Sequence, residues 1–136
     1  MVDVAKPGER IPIASDHAGF ELKERLRLAL AEMGYEVQDI GTHSTASTDY
    51  PDYAHPVAAM VEDGDATAGI LVCGSGNGVC MTANKHKGIR AALCWTDELA
   101  SLAREHNNAN VLCIPSRFVS FAVAEKMMEV FLATPF

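Results

Sequence analysis

The apolar residues of this chain fall into short runs that alternate with stretches of helical periodicity. The runs have the length of buried strands and cover residues 11–15, 35–40, 68–73, 89–94 and 110–114. Between the first two runs, an amphipathic stripe predicts a helix that ends at Gly34; its apolar residues are Leu22, Leu26, Ala29, Leu30 and Met33. Further helical patterns cover about 54–63, 77–86, 97–106 and 119–133.

This alternation predicts the fold class. Strands that return through helices run parallel, so the pattern is typical of a three-layer αβα sandwich with a five-stranded, parallel, Rossmann/flavodoxin-like sheet. The 136 residues fit a single domain, 1–136, in which residues 1–10 are expected to form a frayed polar leader. Ligands bind such sheets beyond the carboxyl ends of the strands, where the strand order reverses. If the order is 2-1-3-4-5, that point lies between "SDHAG" (15–19) and "CGSGNG" (73–78).

Charge and hydropathy restrict the partners. The net charge of −7 argues against nucleic acid or an anionic membrane, so an anionic substrate must be held by local groups. No apolar stretch approaches the length of a membrane span, and no signal-peptide pattern is found. The sequence therefore predicts a cytoplasmic protein.

The cysteines and most of the histidines carry no metal signature. The 4 cysteines, Cys73, Cys80, Cys94 and Cys113, include no Cys-x-x-Cys pair and are expected to be free thiols. Cys94 and Cys113 lie in apolar runs and are interpreted as core residues. His43, His55 and His86 show no ligand spacing and are interpreted as ordinary surface histidines. We therefore expect neither metal nor cofactor.

The glycine-rich loop at 73–78 predicts an anion site. Glycines let the backbone expose its N–H groups, and a helix begins near Asn77. Val79 stands where a dinucleotide fingerprint needs glycine and where the cysteine-phosphatase pattern needs arginine, and the Gly-Lys-Ser/Thr ending of a Walker loop is absent. The dinucleotide and Walker interpretations fail, and a phosphoryl-cysteine mechanism becomes a minor alternative.

Two interpretations of Cys73 remain open from the residues alone. The helix N-terminus should favour a thiolate at Cys73, beside N–H groups that would stabilise an enediolate when a proton next to a carbonyl is removed. Alternatively, Cys73 is a buried strand-end residue followed by a helix-capping loop. In the same way, Asp16 has the alternative of capping the helix that follows it.

Six motifs together resemble the ribose-5-phosphate isomerase type B family, which includes the galactose-6-phosphate isomerase subunits. They are "SDHAG", "TDYPDYA", "GILVCGSGNG", "ANKHKGIRAAL", "REHNNANVL" and "PSRF", and the similarity runs from about Ile11 to Phe136. The resemblance implies interconversion of aldose and ketose phosphates, ribose 5-phosphate and ribulose 5-phosphate, through a cis-enediolate without metal or cofactor. The resemblance also implies a role in the pentose phosphate pathway. Six-carbon substrates such as allose or galactose 6-phosphate, and a non-catalytic anion-binding module, are the alternatives.

The resemblance also implies the site residues. Cys73 corresponds to the base that moves a proton between C1 and C2, and Val79 stands where other members use a glutamate. His106 corresponds to the acid–base group that opens the furanose ring, with Asp16 and Ser75 in the same catalytic set. The substrate-binding and phosphate-binding matches are His17, Tyr50, Gly74, Gly76, Asn77, Gly78, Asn107 and Arg117.

Topology predicts that the site is shared between subunits. Cys73 and His17 follow strands at their carboxyl ends, whereas His106 ends a helix that leads back to the opposite edge, about 17 Å or more away. A two-fold partner would supply His106 and Asn107, and the resemblance likewise implies a homodimer or a dimer of dimers. Family members usually continue past "TPF" into a "GGRHxxR"-like segment whose arginines hold the phosphate. We expect the sequence, which ends at Phe136, to be truncated there.

Overall fold

A computed structural model describes residues 5–136, in which strands and helices alternate as the sequence predicts. The strands are β1 (Arg10–Ser15), β2 (Glu36–Gly41), β3 (Gly69–Cys73), β4 (Ala91–Leu93) and β5 (Val111–Pro115). The helices are α1 (Phe20–Glu32), α2 (Pro51–Glu62), α3 (Asn77–Ala83), α4 (Asp97–Asn107) and α5 (Phe121–Ala133). A 3₁₀ turn, His17–Gly19, leads from β1 into α1.

All five strands run parallel in one sheet with the order β2-β1-β3-β5-β4. The assumed order 2-1-3-4-5 is therefore wrong at its end, because β5 lies between β3 and β4. β5 is buried along its whole length, whereas the three residues of β4 are only half-buried and suit a short edge strand. The order still reverses between β1 and β3, where the sequence places the ligand crevice.

The two faces of the sheet have separate apolar cores. Ile70 and Val72 of β3 pack with α1, α4 and α5, whereas Leu71 and Cys73 pack with α2 and α3. This alternation along β3 produces the three-layer αβα sandwich that the sequence predicts. It also places the Cys73 side chain on the face of the sheet that α2 and α3 cover.

The leader is not frayed over its described residues. Ala5 is buried and its carbonyl accepts a hydrogen bond from the Tyr35 hydroxyl at 3.2 Å. The Gly8 N–H donates to the Gly34 carbonyl at 2.8 Å, and Arg10 already belongs to β1. Residues 5–10 therefore pack against the turn between α1 and β2, and residues 1–4 lie outside the described part of the chain.

None of the helices described for residues 5–136 has the length and hydropathy needed to cross a membrane.

Candidate active site

A cavity of about 420 Å³ opens at the carboxyl edge of the sheet, beside the ends of β1 and β3. This volume lies within the usual range for small-molecule sites. The lining residues come from the loops after β1, β3 and β5 and from the start of α2: Asp16, His17, Ala18, Tyr50, Cys73, Gly74, Ser75, Gly78, Arg117 and Phe118. The cavity thus brings together most of the residues that the sequence analysis singled out.

Cys73, the last residue of β3, is held in place by the neighbouring loop. Its carbonyl accepts a hydrogen bond from the Ser116 N–H at 2.9 Å, and the Gly74 carbonyl accepts one from the Arg117 N–H at 3.0 Å. The thiol-bearing residue is 5% exposed and lines the cavity. The backbone of the loop after β5 therefore fixes Cys73 and carries Arg117 to the same opening.

The loop glycines allow close contacts that a side chain would prevent. A Cβ on Gly74 would lie 3.2 Å from the Arg117 guanidinium carbon, and one on Gly78 would lie 2.7 Å from the Tyr50 ring. Gly76 has a positive φ of 76°, and a Cβ there would collide with Leu93. The loop therefore needs glycine at 76 for its backbone and at 78 for the Tyr50 ring, whereas a side chain at 74 would require only a small shift of the flexible Arg117.

Not all of the predicted anion loop faces the cavity. The Asn77 N–H donates to Ser75 Oγ at 3.2 Å, so this amide already has a partner. Asn77 is exposed, Gly76 is buried, and neither of them lines the cavity. Gly74, Ser75 and Gly78 are the loop residues left to contact a ligand.

Asp16 caps a helical turn and also lies at the cavity. Its Oδ1 accepts the Gly19 N–H at 3.1 Å and so caps the 3₁₀ turn, while the residue also lines the cavity.

Thr48 holds the His17 ring in place. The His17 N–H donates to Thr48 Oγ1 at 2.9 Å, and the Thr48 N–H donates to His17 Nδ1 at 3.1 Å. Nδ1 also lies 3.2 Å from the Thr48 carbonyl oxygen. Because the amide N–H can only donate, we assign Nδ1 as its acceptor, which places the proton of a neutral ring on Nε2. His17 thus offers a donor to a ligand oxygen. Sequence reasoning missed Thr48, which lies 31 residues from His17 in a loop with no distinguishing pattern.

Two further features define the electrostatics and rim of the cavity. Arg117 is the single Lys or Arg among the described lining residues, so it is the natural partner of an anionic group. Phe118 contacts Trp95, with ring centroids 5.1 Å apart, and both side chains are substantially exposed. Sequence reasoning missed this aromatic rim because its two residues belong to different loops.

His106 and Asn107 do not line this cavity. Both are exposed at the end of α4, where Asn107 borders a separate cavity of about 350 Å³ together with Asn84 and Arg90. The Arg90 guanidinium donates to the Asn107 carbonyl. One chain therefore does not bring His106 to Cys73.

The other cysteines also lie outside the cavity lining. Burial raises the pKa of Cys94 to about 11 and raises the pKa of Cys113 well above its ordinary value. Both are buried, which confirms the interpretation of these two as core residues. Cys80 on α3 is half-buried, and a hydrogen bond with Cys113 lowers its pKa.

Comparison with known families identifies a match over nearly the whole chain. Residues 11–136 match the family described as Ribose/Galactose Isomerase. The Escherichia coli (strain K12) protein named ribose-5-phosphate isomerase B is 42% identical over 128 residues, which span 94% of this chain and 86% of that protein.

Solved structures with the same fold include two from similar proteins. The ribose 5-phosphate isomerase of Thermotoga maritima has a TM-score of 0.92 and 49% identity, covering 94% of this chain and 88% of that one. The Mycoplasma genitalium ribose-5-phosphate isomerase B, solved with bound ribulose-5-phosphate, has a TM-score of 0.90 and 45% identity, covering 96% and 88% of the two chains. The similarity therefore includes every loop that forms the cavity.

Proposed function

The chain belongs to the ribose/galactose isomerase family, and on this premise we propose that it interconverts ribose 5-phosphate and ribulose 5-phosphate with Cys73 as the base. The observation that supports this proposal most directly is that Cys73, His17 and Arg117 line one cavity. A thiol suited to proton transfer, a neutral N–H donor and a cation are the groups that a phosphorylated sugar requires. We also propose a cytoplasmic location and a role in the pentose phosphate pathway, which follow from this substrate.

The chemical step needs only a proton transfer within the substrate. The Cys73 thiolate removes the proton on C2 of the open-chain aldose, and the electron pair of that bond forms the C1–C2 double bond of an enediolate with its charge on O1. The same proton then returns to C1, while the proton of the C2 hydroxyl passes to O1, which leaves a ketone at C2 and a hydroxyl at C1. Ser75 and the amides of Gly74 and Gly78 are the donors proposed to stabilise the enediolate.

The phosphate end of the substrate is assigned to the other side of the cavity. Arg117 offers a planar guanidinium, which suits bidentate contacts to phosphate oxygens. His17 Nε2 supplies a further donor without bringing a second fixed charge. These local groups explain how a chain with a net charge of −7 would hold a doubly charged substrate.

Ring opening is assigned to His106 of a second copy of the chain. Leu99, Leu102 and His106 recur at helical spacing along α4, and both leucines are more than a third exposed. An exposed apolar stripe that ends at a histidine suits a two-fold interface in which each chain offers His106 and Asn107 to its partner's cavity. We therefore propose a homodimer, or a dimer of dimers, with composite sites.

The test is a substrate panel on the purified chain. Formation of ribulose 5-phosphate from ribose 5-phosphate is followed directly, with allose 6-phosphate and galactose 6-phosphate as six-carbon competitors. Cys73→Ala, purified identically, is the control for contaminating isomerase from the host. Turnover of ribose 5-phosphate that the variant lacks supports the proposal. Faster turnover of a six-carbon substrate would reassign the substrate, and no turnover of any of them would favour a non-catalytic binding module.

A further inference from the structure

Two histidines that look unrelated in the sequence are directly bonded in the fold. His55 lies on α2 and His86 in the turn after α3, and His55 Nδ1 is 2.8 Å from His86 Nε2. Their ring centroids are 5.1 Å apart. Both histidines lie at the surface, as the sequence indicates, and their rings meet because α2 and α3 pack side by side.

Glu62 fixes the orientation of His86. His86 Nδ1 lies 3.2 Å from Glu62 Oε1, and Glu62 Oε2 accepts the Gly88 N–H at 2.8 Å. Because an ionised carboxylate only accepts hydrogen bonds, Glu62 places the proton of His86 on Nδ1 and leaves the lone pair of Nε2 directed at His55.

Helix geometry explains why all three residues meet. His55 and Glu62 are seven residues apart on α2, which is about two turns and about 10.5 Å, so they share one face of the helix. His86 enters from the neighbouring turn and bridges them. The carboxylate–histidine pair is the arrangement that orients metal-binding histidines in proteins.

We propose that His55 Nδ1 and His86 Nε2 form a binding site for a divalent late-transition-metal ion of the nickel(II) type. Two metal–nitrogen bonds of about 2.05 Å place their nitrogens about 2.9 Å apart at a 90° angle and about 3.3 Å apart at a tetrahedral angle. The observed separation of 2.8 Å is that of a hydrogen bond, and it is closer to the 90° spacing than to the tetrahedral one. The site therefore favours nickel(II) or copper(II), which accept neighbouring ligands at 90°, over zinc(II).

Binding requires a tautomer change at His55 and a rotation of the two rings that turns both lone pairs from each other towards the ion. In the metal-free pair, the His55 Nδ1–H donates to His86 Nε2. When the metal binds both nitrogens, the His55 proton moves to Nε2 and the ring stays neutral. No group of three His, Cys, Asp or Glu side chains within residues 5–136 is arranged to hold a metal ion, so water completes the coordination.

This site is independent of the proposed isomerase chemistry. Neither histidine lines the cavity that contains Cys73. The ion would join α2 to the turn after α3, and because it binds only the folded chain it would raise the melting temperature.

The experiment is a calorimetric titration of the full, untagged chain with nickel(II) chloride. We expect one site per chain, with affinity reduced at least about tenfold in His55→Ala and in His86→Ala and about tenfold in Glu62→Gln. His43→Ala is the matched control, because His43 is an exposed histidine whose charged neighbour is Asp39 and not Glu62. Zinc(II) titrated in parallel should bind more weakly than nickel(II).

A second measurement keeps the test independent of folding defects. Nickel(II) should raise the melting temperature of the wild type and of His43→Ala, and should leave His55→Gln and His86→Ala unchanged. Equal melting temperatures without metal would show that the variants fold. The proposal is overturned if the wild type does not bind nickel(II) at millimolar concentration, or if both histidine variants bind it as tightly as the wild type.

Discussion

The ring of Tyr50 lies directly against the backbone of Gly78, so that a Cβ on Gly78 would be 2.7 Å from Tyr50 Cε1. Tyr50 precedes α2 and Gly78 lies in the first turn of α3. This single contact joins two elements around the cavity. It also explains why the glycine loop needs its last glycine, a requirement that backbone flexibility alone would not impose.

Gly78→Ala should displace the Tyr50 ring and impair substrate binding. We expect kcat/KM for ribose 5-phosphate to fall about tenfold, mainly through KM, because the ring and not the base is moved. Double-mutant analysis isolates the cause: in a Tyr50→Ala background, Gly78→Ala should have little further effect. If Gly78→Ala lowers kcat/KM by the same factor with and without the Tyr50 side chain, the contact with Tyr50 is not the reason that position 78 requires glycine.

Cys73→Ser should abolish most of the turnover while the chain still folds. A serine hydroxyl is a much weaker base than a thiolate, so kcat should fall about 10²–10⁴-fold with a smaller change in KM. Cys80→Ser is the matched control, since Cys80 is also a free thiol but does not line the cavity. A kcat near that of the wild type in Cys73→Ser would remove Cys73 from its assigned role.

The succession of strands and helices could be predicted from hydrophobic periodicity, but the strand order could not. An apolar run indicates that a strand is buried, but it does not indicate which strands lie beside it. The half-buried residues of β4 fit its position at the edge of the sheet, and this becomes visible only in the structure. The ends of the helices also differ from the prediction where a side chain forms hydrogen bonds that stop the helix. The predicted helix over 77–86 ends at Ala83 because Asn84 leaves the helix and pairs both its amide nitrogen and its oxygen with the backbone of Ala91.

The parts of the site that follow strand ends could be predicted, whereas its supporting contacts could not. Asp16 and Cys73 end or follow apolar runs, so topology alone brings them to one crevice. Thr48 holds His17 across 31 residues, and Lys23 contacts Asp39 across 16. Such pairs carry no spacing signal in a single sequence, because they depend on how the loops and helices pack.

Stability should depend on pH through the charged cluster beneath α1. Lys23 is fully buried and its Nζ lies 2.8 Å from both Glu24 and Asp39. A hydrogen bond from Arg27, and then the Lys23 contacts, lower the pKa of Glu24 from 4.5 to about 2 despite partial burial. Because the folded-state value lies below the unfolded one, the stabilisation is present above about pH 4.5 and is lost as the pH falls towards about 2.

Urea unfolding between pH 6 and pH 2 tests this dependence. Glu24→Gln should lose stability at pH 6 and show a shallower decline towards pH 2 than the wild type, with a modest magnitude since Glu24 is partly exposed to solvent. Glu129→Gln is the control, because the Lys126–Glu129 pair is exposed and separated by 3.5 Å. If the free energy of unfolding falls equally with pH in the wild type and in Glu24→Gln, Glu24 is not the source of the pH dependence.

The composite-site proposal predicts that two inactive variants restore activity when mixed. In a heterodimer of Cys73→Ser and His106→Ala, one cavity combines the intact Cys73 of one chain with the intact His106 of the other. Random exchange of equal amounts makes about half of the dimers heterodimers, and each heterodimer has one intact site out of two. About a quarter of all sites are therefore intact, so about a quarter of the wild-type activity is expected. Mixing Cys73→Ser with Cys73→Ala is the control and should restore nothing, because no chain then supplies the thiol. Native mass spectrometry would establish that the subunits exchange. If the subunits exchange and the mixture remains inactive, His106 acts within its own chain or has no role in the reaction.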